Sequence, residues 1–133
     1  MSTRPAILIF DSGVGGLTVL DPIRDARPDA HFIYIGDTAF FPYGALDADE
    51  LIARVVTVID GAQARFKPDL IVIACHTAST LVLPALRARF SIPIIGTVPA
   101  IKPAAETSES RLISVLATEG TVKRDYTSAL IRD

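Results

Sequence analysis

Short apolar runs recur along the chain, and segments with helical spacing of their apolar residues follow them. The runs are continuous rather than alternating and rich in Ile and Val, which is typical of parallel strands buried on both faces. This alternation predicts βαβ units, an α/β fold in which helices cover both faces of a parallel sheet. The predicted strands are AILIF (6–10), HFIYIGD (31–37), DLIVIA (69–74) and IPIIGT (92–97), and the predicted helices span 14–26, 48–66 and about 77–90.

The composition changes after the last of these runs. TVPAIKPAAETSES (97–110) holds two prolines followed by polar and acidic residues, and we interpret it as a connection between lobes. Beyond it, RLISVLATEGTVKRDYTSALI (111–131) repeats the opening unit with an apolar strand, small turn residues and a helix. The prediction is a first α/β lobe over 1–98, then a linker and the beginning of a second α/β lobe over 99–133, too short to close a sheet.

The balance of residue types excludes several classes of protein. Of the 133 residues, 50% are hydrophobic, which is enough for one modest domain with a core. A net charge of −2 argues against a nucleic-acid surface, and no apolar run reaches the roughly 18 residues of a membrane span. The single cysteine excludes an internal disulfide, and no Cys or His pair has metal-ligand spacing. We therefore expect a cytoplasmic protein with no metal site, no membrane partner and no nucleic-acid partner.

Reactive groups stand where the predicted strands end. The carboxyl ends of parallel strands share one edge of a sheet, where open α/β folds bind their ligands. A helix N-terminus after a cysteine favours the thiolate, so Cys75 is predicted to be functional; an inert buried cysteine is the alternative. Asp11 has a plain helix cap as its alternative, and Asp37 a turn residue. The residues at the strand ends are Asp11 and Ser12, Gly36 and Asp37, Cys75 to Thr77, and Gly96 and Thr97.

Three chemistries that use such an edge fail at single positions. A low-molecular-weight phosphatase requires an arginine where Leu81 stands. A receiver domain requires an aspartate at Cys75 and a lysine at Thr118. A glycine-rich dinucleotide loop requires a third glycine where Thr18 stands. The remaining interpretation is an acid–base thiol beside a carboxylate, facing a small anionic ligand.

Several blocks of the chain resemble, in order, the signature blocks of the glutamate racemases of the Asp/Glu racemase superfamily. They are IFDSGVGGLTVL (9–20), YIGDTAFFPYG (34–44), IACHTAS (73–79), PIIGTVPAIKPA (93–104) and VLATEGTVK (115–123). The resemblance implies two pseudo-symmetric α/β lobes with the active site between them, and a homodimer. It also implies interconversion of L- and D-glutamate without a cofactor, which supplies D-glutamate for peptidoglycan.

The same resemblance implies roles for individual residues. Racemisation removes the Cα proton from one face of the amino acid and returns a proton to the other, so it needs an acid–base group on each face. Cys75 corresponds to one of the family's two catalytic cysteines, and Asp11 would orient the thiol and the substrate ammonium. The implied substrate-binding positions are Asp11, Ser12, Pro42, Tyr43, Gly44, His76, Thr77, Thr118 and Thr121.

The chain departs from the family pattern in two places. His76 stands where the family usually has asparagine, and the Cys-Thr-His block with the second cysteine is absent. The expectation is a truncated or partial glutamate racemase that holds half of an active site. The alternatives are a related aspartate or hydantoin racemase, and a non-catalytic fragment that binds an amino acid or a protein. For Thr118 and Thr121, helix capping stands as the alternative to substrate binding.

Overall fold

The computed structural model describes residues 4–123 and 125–132, and a parallel sheet lies at its centre. Within the described residues the sheet has four strands in the order β2-β1-β3-β4. Its register sets Asp11 beside Gly36, Phe10 beside Ile73, and Ile73 beside Gly96, so the strands end along a common edge. All four predicted strands are confirmed: β1 (Ala6–Asp11), β2 (His31–Gly36), β3 (Leu70–Ile73) and β4 (Ile94–Gly96).

Helices pack on both faces of this sheet, as predicted. Helix α1 (Leu17–Ala26) lies on one face, and α2 (Ala48–Phe66) and α3 (His76–Arg89) lie on the other. Successive strand residues point to opposite faces, which is why the strands are apolar throughout. The face towards α1 is formed by Ile7, Ile9, Val72 and Ala74, and the face towards α2 and α3 by Leu8, Phe10, Ile71, Ile73 and Ile94.

Helix α2 has the predicted bounds because both of its ends are encoded locally. The Asp47 side chain accepts the Glu50 amide at 2.8 Å, which satisfies a free N–H of the first turn. At the other end Lys67 adopts a left-handed φ of 46°, a common way to end a helix. The residues that α2 buries recur at helical spacing: Leu51, Val55, Ile59 and Ala62.

The segment 97–110, which was predicted to connect two lobes, contains a helix that the sequence analysis missed. Helix α4 (Ile101–Thr107) lies inside the segment 97–110, and Ile101 is buried. Its proline, Pro103, stands in the first turn, where a helix does not need the missing N–H. Proline therefore does not exclude a helix at this point of the chain.

The strand predicted at the start of the second lobe is not formed, which corrects that part of the prediction. Residues 111–118 contain no strand, and Leu112 and Leu116 are 83% and 101% exposed. A strand needs a neighbour for its N–H and C=O groups, and the described residues after 98 contain no strand that could pair with this segment. The helical part of the unit is formed as two pieces, α5 (Glu119–Val122) and α6 (Asp125–Arg132).

Candidate active site

The carboxyl edge of the sheet brings the thiol and the first acidic segment into contact. Asp11 is the last residue of β1, Ser12 follows it, and Cys75 stands between β3 and α3. The Cys75 thiol donates to Ser12 Oγ at 3.5 Å across 63 residues of sequence. The parallel sheet therefore joins these strand ends, as expected from their positions in the sequence.

Cys75 is the N-cap of α3 and is buried. Its Sγ accepts the Ala78 amide at 3.5 Å, so the sulfur replaces the oxygen that usually caps a helix. The sulfur therefore lies at the end of the helix where the backbone amides of the first turn are free. The thiolate is the form of cysteine that removes protons. The sulfur thus donates to Ser12 and accepts from the first turn of α3.

Asp11 organises the loop that links β1 to α1. Its Oδ2 accepts the amides of Gly13 and Gly16, each at 3.1 Å, and the carboxyl is buried. The Tyr34 hydroxyl lies 3.5 Å from the same oxygen. These contacts all use Oδ2. The loop and the acid thus form one unit, in which the plain capping alternative and a ligand role do not exclude each other.

Tyr34 is a residue of this unit that the sequence analysis missed. Its hydroxyl donates to the Gly13 carbonyl at 3.0 Å. Burial and the adjacent Asp11 carboxylate raise the pKa of Tyr34 to about 12, so the hydroxyl remains a donor at neutral pH. A Cβ added to Gly16 would lie 2.8 Å from the Asp11 Cβ and 3.0 Å from the Tyr34 hydroxyl, so only glycine fits there. The apolar pattern of β2 gives no signal for this contact.

Replacing Asp11 by asparagine is expected to lower the free energy of unfolding by about 1–2 kcal/mol, because charge-assisted hydrogen bonds to two amides become neutral ones. Urea denaturation followed by circular dichroism measures this. The matched control is Asp29→Asn, which removes an exposed ion pair with Arg27 and should leave the free energy of unfolding close to that of wild type. Equal effects of the two changes would contradict the role of Asp11 in the loop.

Three threonine hydroxyls form a second group at this edge. Thr77 Oγ1 lies 3.0 Å from Thr118 Oγ1 and 3.4 Å from Thr121 Oγ1, and the latter two are 3.0 Å apart. We call Thr77, Thr118 and Thr121 the threonine cluster. Thr118 is the exposed member and also caps α5 by accepting the Thr121 amide at 3.3 Å. The capping alternative therefore describes Thr118, and a contact of the cluster with a ligand stays a prediction.

The turn over Pro42, Tyr43 and Gly44 borders the cluster. Tyr43 is 2% exposed, and its hydroxyl donates to Asp37 Oδ2 at 2.5 Å. Burial and that carboxylate raise the pKa of Tyr43 above its ordinary value. Because the hydroxyl is already used, the turn presents Pro42 and Gly44, both exposed, rather than the tyrosine side chain.

His76 is the predicted site residue that the structure sets apart. It is exposed and lines a cavity of about 260 Å³ together with residues of α4 and the segment 113–117. No hydrogen bond joins His76 to another site residue in the described part of the chain. Among residues 4–123 and 125–132, no group of three His, Cys, Asp or Glu side chains is arranged to hold a metal. None of the helices described combines the length and the apolar character that crossing a membrane requires.

Comparisons with known proteins show which family this chain resembles. Residues 19–133 match the family model described as Asp/Glu/Hydantoin racemase. The glutamate racemase of Pasteurella multocida is 55% identical over 128 residues, which make up 96% of this chain and 48% of that protein. A crystal structure of Escherichia coli glutamate racemase, in complex with L-glutamate and the activator UDP-MurNAc-ala, matches with a TM-score of 0.93 and 51% identity, over 97% of this chain and 48% of that one.

A third relative extends the likeness to a more distant sequence. Glutamate racemase from Aquifex pyrophilus matches with a TM-score of 0.87 and 37% identity, over 96% of this chain and 50% of that one. The predicted α/β fold class and the resemblance to glutamate racemases are confirmed. The chain spans about half the length of the relatives it matches.

Proposed function

Because the chain belongs to the Asp/Glu/hydantoin racemase family, we propose that it carries one half of a glutamate racemase active site, in which Cys75 exchanges a proton at Cα of glutamate. The choice of glutamate within the family is supported by the 55% identity to the Pasteurella multocida enzyme and the 51% identity to the Escherichia coli enzyme. For the whole protein we propose interconversion of L- and D-glutamate without a cofactor, by a homodimer in the cytoplasm, to supply D-glutamate for peptidoglycan.

The position of Cys75 carries this proposal. A thiolate at the N-terminus of α3 takes the Cα proton of bound glutamate; the S–H bond forms, the C–H bond breaks, and the electron pair moves towards the substrate carboxylate. The Asp11 carboxylate would pair with the substrate ammonium. Backbone amides and the Thr118 hydroxyl would stabilise the negative charge that develops on the substrate carboxylate. Returning the proton from the thiol reverses each step.

The number of cysteines limits what this chain does by itself. Cys75 is the only cysteine of the 133 residues, and inversion requires a second acid–base group on the opposite face of Cα. A single thiol removes and returns the proton on the same face. The chain should therefore replace the Cα hydrogen of one enantiomer without inverting it.

Solvent exchange in deuterated buffer tests the proposal. L-glutamate and D-glutamate are incubated separately with the chain, and the Cα–H signal is followed by proton NMR while optical rotation reports inversion. We expect the signal of one enantiomer to disappear at constant rotation. No exchange of either enantiomer by the folded chain would contradict the proposal, and exchange with inversion would contradict its one-sided form. Aspartate is the comparison substrate, and faster exchange of aspartate would favour the related racemase.

A further inference from the structure

Asp37 and Arg54 form an ion pair next to the Pro42–Gly44 turn, and the proposed chemistry uses neither residue. Asp37 directly follows β2, and Arg54 stands on α2. Arg54 Nε donates to Asp37 Oδ2 at 2.8 Å, and Nη2 donates to Oδ1 at 2.7 Å. The Asp37 side chain is 4% exposed and that of Arg54 27%. Such a two-point contact fixes the orientation of both groups, which a single contact does not.

This pair holds the segment between β2 and α2 at two points. The segment contains two short 3-10 turns, Thr38–Phe40 and Tyr43–Ala45. The Arg54 guanidinium lies 4.3 Å from the centroid of the Phe40 ring in the first turn. Asp37 accepts the Tyr43 hydroxyl from the second turn. One carboxylate and one guanidinium therefore contact both turns of the segment.

The ionised state of Asp37 depends on the same contacts. Arg54 and the Tyr43 hydroxyl lower the pKa of Asp37, although burial alone would raise it. An ion pair with one partly exposed partner contributes little net stability, but the loss of Arg54 would leave the charge of Asp37 buried without compensation. The pair is therefore better explained by the orientation it imposes than by stability.

The Pro42–Gly44 turn, which the ion pair holds, packs against the proposed site. A Cβ added to Gly44 would lie 3.5 Å from the Thr118 Cβ, so the backbone of the turn packs against the threonine cluster. Tyr43 also anchors the turn to β1, because its ring centroid lies 6.2 Å from that of Phe10. A displacement of Tyr43 would shift Gly44 relative to Thr118. A series of contacts therefore connects Arg54 on α2 with the threonine cluster.

We propose that Arg54 and Asp37 are positioning residues for the Pro42–Gly44 turn. They hold Tyr43, and through it they fix where the turn lies against the threonine cluster. Neither residue touches the substrate. This inference rests on the proposed function, because the cluster and the turn are taken as the walls of the glutamate site. Without the ion pair, we expect the turn to shift relative to the cluster, whereas Cys75, Ser12 and Asp11 keep their positions.

The test compares two arginines that each bind an aspartate from a helix. Arg54→Gln removes the two-point contact, and Arg54→Lys keeps the charge without the planar fork. The matched control is Arg89→Gln, since Arg89 pairs with Asp60 at 2.6 Å between α3 and α2, on an exposed surface. Glutamate affinity and the Cα exchange rate are measured for each variant. Nitrogen–proton NMR spectra report the amides of Gly44, Thr118 and Thr121.

We expect Arg54→Gln to shift these three amides and to weaken glutamate binding or slow exchange at least about tenfold, because small misplacements of binding groups have large effects. Arg54→Lys should lie between Arg54→Gln and wild type, and Arg89→Gln should match wild type. Unchanged amides and unchanged glutamate binding in Arg54→Gln would overturn the inference.

Two further observations distinguish failure of this inference from failure of the proposed function and from unfolding of the variant. If the wild-type chain neither binds nor exchanges glutamate, the proposed function fails, and the three amide signals alone decide the positioning role. If Arg54→Gln does not fold, Tyr43→Phe removes only the hydroxyl that links the ion pair to the turn. The same amides should then move in Tyr43→Phe, and unmoved amides would contradict the link.

Discussion

Replacing Cys75 by serine is expected to slow the Cα exchange of glutamate by about three orders of magnitude, within the range of general acid–base catalysis, while the stability of the chain stays near wild type. A serine hydroxyl is far less acidic than a thiol and is not ionised at neutral pH, so it does not act as the base. As an N-cap, however, serine is among the best residues, and its oxygen can accept the Ala78 amide that Cys75 accepts now.

Alanine at the same position separates the two roles of the sulfur. Cys75→Ala loses the base and the cap together, so we expect the same loss of exchange and a decrease of about 1 kcal/mol in the free energy of unfolding. Urea denaturation and deuterium exchange of glutamate are measured on the same protein samples. Exchange that persists in Cys75→Ser would rule out the thiol as the base. Equal destabilisation by serine and alanine would rule out the capping role.

The sheet and its three long helices could be predicted because their signals are local. The strands are continuous apolar runs, and α2 carries its own cap at Asp47 and its own buried stripe from Leu51 to Ala62. A helix of this kind has the same bounds in many surroundings. Asp11 and Cys75 lie at the same edge of the sheet because all the strands run in the same direction, which follows from the βαβ pattern. The order that makes β1 and β3 neighbours was not part of the prediction.

The structure of the predicted second lobe could not be derived in the same way, because a strand depends on its partners. The sequence of residues 111–117 has the apolar character of a strand, but no neighbouring strand is present among the described residues, and Leu116 remains exposed. Helices α5 and α6 form where the strand does not, since a helix satisfies its hydrogen bonds within its own segment. Helix α4 was missed because two prolines followed by polar residues indicate a connection, although a proline in the first turn does not interrupt a helix.

In the candidate site, too, sequence patterns mark individual residues but do not give the contacts that these residues make in the folded chain. The resemblance of the YIGDTAFFPYG block marks Tyr43 as a substrate residue, but its hydroxyl binds Asp37 and its ring is buried. Arg54, which completes this arrangement, lies on α2 outside every block of resemblance. Tyr34 has an apolar strand around it and reaches Asp11 only in the folded chain. Contacts between side chains far apart in sequence were therefore the part that sequence patterns did not supply.

Replacing Gly36 by alanine is expected to destabilise the chain by about 3 kcal/mol, at the upper end of what overpacking usually costs. A Cβ at this position would lie 2.4 Å from the Gly13 carbonyl oxygen, and a backbone atom cannot turn away as a side chain can. The same oxygen accepts the Tyr34 hydroxyl, so the β1–α1 loop would have to shift as a whole. Ser12 lies in that loop, and Asp11, directly before it, accepts an amide of the loop. The Cα exchange of glutamate should therefore also slow.

Gly61→Ala is the matched control, because it makes the same chemical change where space is free. Nothing lies within 4 Å of a Cβ added to Gly61, which is inside α2 and exposed, so alanine there should stabilise the chain by about 0.5–1 kcal/mol through its helix propensity. Urea denaturation gives both free energies, and glutamate exchange should be unchanged in Gly61→Ala. A Gly36→Ala chain as stable and as active as wild type would show that the β1–α1 loop moves freely, and it would then not be the rigid support that the acid and the thiol require.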